Sequence, residues 1–275
     1  MQPLWDVAIE PVIRALAPRS IVEIGALSGG NTRKVLEACG EGAVIHAIDP
    51  APRFDPKTLQ DEFGDALVFH QGASLDVLPA LPTFEAALID GDHNWHTVYN
   101  ELQAIEQKHP SAQDFPVLFL HDVCWPYGRR DLYYDVSRIP EPARQPFKKA
   151  GIRLWRSELD EDGGLNSHFD NACAEGGEKN GVLTALEDYV AGSLLDLQVT
   201  RIPAYFGLAI VAATERLRAQ PHVAKAIEDL MSAGSLYNIL ERIEAVRCSG
   251  MEREHDLALK LKNAEAKLAA YEKDR

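Results

Sequence analysis

Ile21-Val-Glu-Ile-Gly-Ala-Leu-Ser-Gly-Gly-Asn-Thr32 is the stretch on which the fold turns. A β-branched, apolar run closes on Glu23-Ile-Gly25, turns through Gly29-Gly30 and enters a helical segment containing Val35, Leu36 and Cys39. Glycines where a strand feeds a helix let the backbone approach a ligand closely, and the free N–H groups of the turn face that ligand. Ala43-Val-Ile-His-Ala-Ile-Asp49 follows as a second buried strand ending on an acid. An acid at that point can take both hydroxyls of a ribose. Strand, glycine turn, helix, strand and acid describe a site for a nucleoside-bearing cofactor. An ordinary strand–helix turn can use the same residues, so the rest of the chain must decide.

Outward from this stretch, apolar patterning alternates between strand and helix. Strands are expected over 20–25, 43–49, 66–70, 84–90 and 116–121, with helices near 30–39, 56–63, 74–80 and 94–108. That order implies an α/β, Rossmann-like, doubly wound parallel sheet with its ligand at the carboxyl ends of the strands. A lead-in helix is expected from Leu4, Val7, Ala8, Val12, Ile13 and Leu16. Beyond a long irregular segment come a helix at 182–191 and two strand-like runs, Leu194–Ile202 and Phe206–Ala213. The few residues between those runs, Pro203 among them, cannot hold a crossover helix, so the pair must be antiparallel. The expected organisation is a sheet domain over 1–213, with an insert at about 123–181, and a helical extension over 214–275. In that extension Leu257, Leu261, Ala264, Leu268 and Tyr271 alternate in steps of four and three, the seam of a short coiled coil. A single solvated helix is the alternative, because so few heptads are marginal.

At 275 residues the chain can bury a substantial core. Its net charge of −14 argues against general nucleic-acid binding, which needs a basic face. Cys39, Cys124, Cys173 and Cys248 are scattered, with neither metal-ribbon nor disulfide spacing. The N-terminus has no basic region followed by an apolar run, and no stretch is long and apolar enough to enter a membrane as a helix. A soluble, cytoplasmic protein is expected.

Chemistry concentrates at two strand ends. Ala86-Ala-Leu-Ile-Asp-Gly-Asp-His-Asn-Trp95 closes a strand on Asp90 and carries Asp92 and His93 toward a helix, with His96 one turn on. Val117-Leu-Phe-Leu-His-Asp-Val123 closes the next on His121 and Asp122. Adjacent parallel strands end side by side, so Asp90 and Asp122 should converge. Carboxylates converging with a histidine suit a hard divalent ion such as Mg²⁺ or Mn²⁺. Asp92 reads more simply as a cap of the following helix. His93, beside an acid at the ligand edge, has the pKa range of a general base.

The pattern Glu23-x-Gly25-x-x-x-Gly29, with Ser28 and Thr32, differs from the G-x-G-x-x-G of NAD sites. It resembles motif I of the class I S-adenosylmethionine (SAM) methyltransferases. Ile89-Asp-Gly-Asp-His93 and Leu120-His-Asp-Val123 sharpen this to a resemblance with the subgroup of small-molecule and sugar O-methyltransferases and cephalosporin-hydroxylase-like proteins. The resemblance spans about residues 20–213 and includes the terminal antiparallel strand. It implies SAM contacts at Glu23, Gly25, Ser28, Gly29, Thr32, Asp49 and Asp90, and adenine contacts at Gln71, Gly72 and Ser74. It also implies metal ligation by Asp90, His121 and Asp122, and the role of base for His93. Position 121 departs from the pattern: metal-binding members commonly carry an acid or amide where this chain has His, which lowers the negative charge offered to Mg²⁺.

The insert is longer than a crossover requires, and long segments over a ligand edge are commonly lids. Trp125, Tyr127, Arg129, Arg130, Tyr133, Tyr134 and His168 are its candidate substrate contacts. The local density of arginine and lysine suggests an anionic group on the substrate, unless Arg129 and Arg130 pair with Asp131, Asp135 or other acids to shape the lid. The expected activity is SAM-dependent O-methylation of a small molecule, a sugar or natural-product intermediate. A carboxyl or N-methyltransferase and a non-catalytic SAM-fold scaffold are the alternatives. The apolar stripe of the last helix, with Leu236, Leu240 and Ile243, suggests a homodimer.

Overall fold

The computed structural model describes the backbone of residues 1–273 and, from Cys248 onward, only a subset of side chains. The chain opens with one 3₁₀ turn and one π turn, then α1 (Glu10–Leu16). The strand–helix alternation follows as β1 (Ser20–Ile24), α2 (Gly30–Ala38), β2 (Val44–Ile48), α3 (Pro56–Phe63), β3 (Leu67–His70), α4 (Ser74–Val77), β4 (Ala86–Ile89), α5 (Trp95–Lys108) and β5 (Val117–His121). These boundaries lie close to the expected ones, because strand period and turn residues are local signals. Asp55 caps α3 ahead of Pro56, and Asn94 caps α5 by accepting from the Thr97 N–H at 2.8 Å. Asp92 is therefore not the cap; it accepts from the Thr97 hydroxyl at 3.1 Å.

The insert supplies β6 (Leu132–Tyr133), β7 (Phe147–Lys149) and β8 (Asp170–Ala172). α6 (Val182–Gly192), β9 (Leu197–Ile202), β10 (Leu208–Ala213), α7 (Thr214–Ala219), α8 (Pro221–Asp229) and α9 (Ala233–Lys273) complete the chain. A seven-stranded sheet runs in the order β3-β2-β1-β4-β5-β10-β9. β1 to β5 are parallel, and β10 is antiparallel to both β5 and β9. β4, β5 and β10 are buried along their whole length, as expected for strands covered on both faces. On one face, Val98, Leu102 and Ile105 of α5 and Val182, Leu186 and Tyr189 of α6 pack on Ala87, Leu118 and Val211. Each such aliphatic side chain contributes roughly 1.5–3 kcal/mol of burial.

The insert folds as a small layer of its own, a three-stranded sheet in the order β6-β8-β7. Arg130, fully buried, donates to the carbonyls of Ala172 and Ser157. Asp131 accepts from the N–H groups of Trp95 and Gly181, each at 2.7 Å, and from the Tyr133 hydroxyl at 2.8 Å. These bonds tie the insert to the start of α5 and the start of α6.

The chain divides into two compact units after Leu230. The expected boundary at 213/214 thus moves past α7 and α8, because α8 packs on α1 and Arg216 of α7 reaches the Phe115 carbonyl at 2.7 Å. The second unit holds α9, on which Leu236, Leu240, Ile243, Leu257 and Leu261 are exposed. Leu268 and Tyr271 of the expected seam lie outside the described side chains.

Candidate active site

The glycine turn stands on tight backbone contacts. Gly25 has φ +91°, and a Cβ there would lie 2.3 Å from the carbonyl oxygen of Asp90. The ends of β1 and β4 can approach this closely only at glycine. Gly29, at φ +74°, begins α2 and would bring a Cβ to 2.9 Å from the Phe54 ring. Ser28 lies exposed beside it.

The two acids of this half are already bonded. Glu23, 1% exposed, accepts from the Thr32 hydroxyl at 2.6 Å and the Asn31 amide at 2.9 Å, which fastens the end of β1 to the first turn of α2. Burial pushes its carboxyl up to about 7 against those two hydrogen bonds. Glu23 and Thr32 thus hold the turn in shape. Asp49 accepts from the N–H of Leu27 at 2.7 Å and of Ala51 at 2.8 Å, and each carboxylate oxygen keeps a second lone pair. Of the expected adenine contacts, Gln71 is exposed and Gly72 half-buried, whereas the Ser74 hydroxyl donates to Glu101. Glu101 is fully buried, and burial pushes its carboxyl up to about 8.

Asp90, His93, His121 and Asp122 converge at the ends of β4 and β5. His121 Nδ1 lies 3.0 Å from Asp90 and 2.9 Å from Asp122, while its Nε2 donates to the Tyr205 carbonyl at 2.8 Å. His93 Nε2 lies 3.1 Å from Asp122 and 3.7 Å from Asp90. Its ring stacks on Tyr127 with centroids 5.5 Å apart, and Nδ1 lies 3.3 Å from the Tyr134 hydroxyl. The α-amino group of Met1 donates to Asp90 at 3.1 Å. Asp122 carries φ +60°, a left-handed conformation that is uncommon outside glycine and that re-aims its carboxylate at the histidines.

Electrostatics follow from this packing. Burial disfavours every charge in the cluster, but opposite charges at contact distance win. His121 rises to about 9 through Asp90 and Asp122, and His93 rises well above 6.5 through Asp122 first. Asp90 is held well below the usual carboxylate range by His121, and Asp122 is lowered by His93. Asp90, His93 and Asp122 also each offer a ligand atom within 4.8 Å of the others. The His93 Nε2 has no well-aligned hydrogen bond.

The insert residues separate into two groups. Tyr127 and Tyr134 reach His93, and Trp125 is half-buried just after Val123. Arg129 instead forms a two-pronged pair with Glu187 at 2.6 and 2.8 Å. Arg130 and Tyr133 are internal struts, and the exposed His168 rests on Phe169. Arg129 and Arg130 are thus engaged by groups of the protein itself, Arg129 in a solvent-exposed pair and Arg130 in buried bonds to backbone carbonyls, in keeping with the alternative in which they shape the insert. Reasoning from sequence missed Tyr205 and Phe206. These residues have φ +51° and +72°, followed by Gly207 at +89°, and they place the Tyr205 carbonyl and the half-exposed Phe206 ring on His121. The available signal was an aromatic pair before glycine in a hairpin turn.

Residues 22–123 match the model of a family described as a methyltransferase domain. No curated protein matches the chain. Among solved structures it is similar to the SAH-bound methyltransferase PaMTH1 of Podospora anserina, at 16% identity over 78% of each chain and a TM-score of 0.47. It is similar to the O-methyltransferase of Bacillus cereus in complex with SAH, at 12% identity over 74% of this chain and 78% of that one, TM-score 0.44. It is also similar to the O-methyltransferase TomG of Streptomyces achromogenes in complex with SAM, at 14% identity over 74% and 77%, TM-score 0.43. The likeness to a methyltransferase domain thus falls on residues 22–123, the segment that holds the glycine turn between β1 and α2 and the cluster at the ends of β4 and β5.

Proposed function

We propose that this chain methylates an oxygen of a small molecule, with His93 as the general base. The observation that carries the reading is the position of His93: its ring is clamped by Tyr127 and Tyr134, aimed at Asp122, and set at the strand ends beside the glycine turn. The residues fit SAM, since the β1–α2 turn is held tight by Gly25, where only glycine lets the ends of β1 and β4 meet, and Asp49 retains lone pairs for ribose hydroxyls. SAM, when bound, supplies an activated methyl group. What remains for the protein is orientation and proton removal. Asp49 and the turn amides bind, Tyr127 and Tyr134 orient the imidazole, and His93 in its neutral form accepts the acceptor's proton, while Asp122, the acid that raises the His93 pKa, stabilises the imidazolium that results. Tyr134 and Phe206 give the approach to His93 and His121 an aromatic character, which supports an uncharged small molecule better than an anionic one. Isothermal calorimetry provides the test: S-adenosylhomocysteine should bind and NAD should not, and the opposite result would overturn the reading.

A second reading is favoured by the cluster itself. Asp90 and Asp122, with His93 or His121, form a mixed oxygen and nitrogen donor set that fits Mn²⁺ or Mg²⁺, and the poorly bonded His93 Nε2 suits a ligand. Such an ion would lower the acceptor hydroxyl's pKa when bound. Loss of turnover in EDTA with recovery in Mn²⁺ would select this reading, and indifference to chelation the first. A carboxyl or N-methyltransferase would not depend on His93 in the same way, and a scaffold module would have no use for the paired acids and histidines. The exposed apolar positions of α9 support self-association through the second unit. Light scattering on the full chain and on one lacking residues 250–275 tests it.

A further inference from the structure

A cavity lies at the opposite end of the sheet. The residues before β1, β4 and β5 and the start of α7 after the reversed β10 meet there, around a cavity of about 580 Å³. Its centre is Arg216, which is 4% exposed and makes one described hydrogen bond, from Nη1 to the Phe115 carbonyl. Its Nε has no partner, and among the described residues no carboxylate forms an ion pair with it. Burial lowers its pKa, with Glu85 and Asp114 opposing from a distance. An arginine does not escape this by deprotonating, so the fold carries a buried cation whose nearby acids, Glu85 and Asp114, do not reach contact distance. Ser20 and Gln220 line the same cavity, and the Ser20 hydroxyl and the Gln220 side-chain carbonyl lie buried beside it without partners. Buried polar groups are rarely left unpaired, and three in one cavity point to something that pairs them.

We propose that this cavity binds a small metabolite carrying a carboxylate or phosphate group, with Arg216 and Ser20 as its anchors. The guanidinium fork offers donors to an oxyanion, Ser20 adds a third, and Gln220 with its amide turned offers a fourth. Lys108 and Arg19 add positive charge at the wall, although Lys108 already donates to the carbonyls of Pro79 and Leu81. Glu85 and Asp114 stand exposed on the rim, so polyanions are disfavoured and a ligand of low charge fits best. Phe84, with His109 edge-on at 4.7 Å, gives the carbon part of the ligand an apolar wall. The site is independent of the methyl-transfer reading, since none of its residues belongs to the carboxyl-end cluster.

The test uses the full chain with sodium phosphate, sodium acetate and sodium chloride at matched ionic strength, read as thermal midpoint and by calorimetry. Phosphate or acetate should raise the midpoint saturably where chloride does not, and the responding anion names the class. Arg216→Met should weaken that anion by roughly 10-fold or more and Ser20→Ala by roughly 3-fold. The affinity for S-adenosylhomocysteine should stay unchanged in both variants. Should Arg216→Met fail to fold, Ser20→Ala and Gln220→Ala carry the comparison. No saturable response to either anion, a response untouched by these variants, or displacement of the anion by S-adenosylhomocysteine would each overturn the proposal.

Discussion

The two halves of the carboxyl edge hold their acids in opposite ways. At β1 and β2, Glu23 is bonded to a hydroxyl and an amide side chain, and Asp49 to two backbone N–H groups. At β4 and β5, Asp90 and Asp122 face two imidazoles. Neutral donors fix the geometry of an acid and carry no charge of their own, whereas ion pairs hold protons that can move between partners. On the proposed function, the first half holds the cofactor in one pose and the second accepts charge as a bond forms.

The largest expected effect tests the second half. His93→Ala should lower turnover by roughly 10²–10⁴-fold while leaving S-adenosylhomocysteine affinity within about twofold, measured by steady-state kinetics and calorimetry. Loss of cofactor binding in that variant would erase the distinction between the halves. Asp49→Ala should do the reverse. It should weaken S-adenosylhomocysteine by about 2–4 kcal/mol, since a charged acceptor of ribose hydroxyls is removed and two turn amides lose their partner.

Acids buried with neutral partners should also shape stability against pH. The Glu101 carboxyl stands at about 8 in the folded chain against an ordinary value of 4.5, chiefly through burial. Its stabilising contribution is fully present below pH 4.5 and is lost as pH rises through about 8, because the unfolded chain releases the proton first. Glu101→Gln keeps the shape and cannot ionise. Its thermal midpoint should match the parent near pH 5 and exceed it by pH 9; parallel profiles would show that Glu101 ionises freely in place. The smallest effect concerns the insert. Arg129→Ala breaks a solvent-exposed pair with Glu187 and should cost no more than about 1 kcal/mol, with KM unchanged. A tenfold rise in KM would return Arg129 to the substrate and redraw the acceptor half.

Much of this was legible along the chain. The strands at 20–25 and 43–49, the Gly25/Gly29 turn and the acids at 49, 90 and 122 rest on period-two patterning, glycine chemistry and strand ends, all of which act within a few residues. The short strands of the insert were not legible, because runs of two or three residues carry no period and form only by pairing at long range. Nor were the partners of the acids. Thr32 and Glu23 are nine positions apart and could have been guessed, but His121 takes its orientation from Tyr205, 84 positions away.

The order of elements, the cofactor turn and the identities of the reactive side chains were thus present in local sequence, since backbone sterics and hydrophobic period leave few choices there. Which charges meet, which arginines are consumed as struts and where, among the described residues, a buried cation lacks a paired acid depended on chain closure. Such contacts join residues whose separation carries no pattern, and only packing brings them to hydrogen-bonding distance.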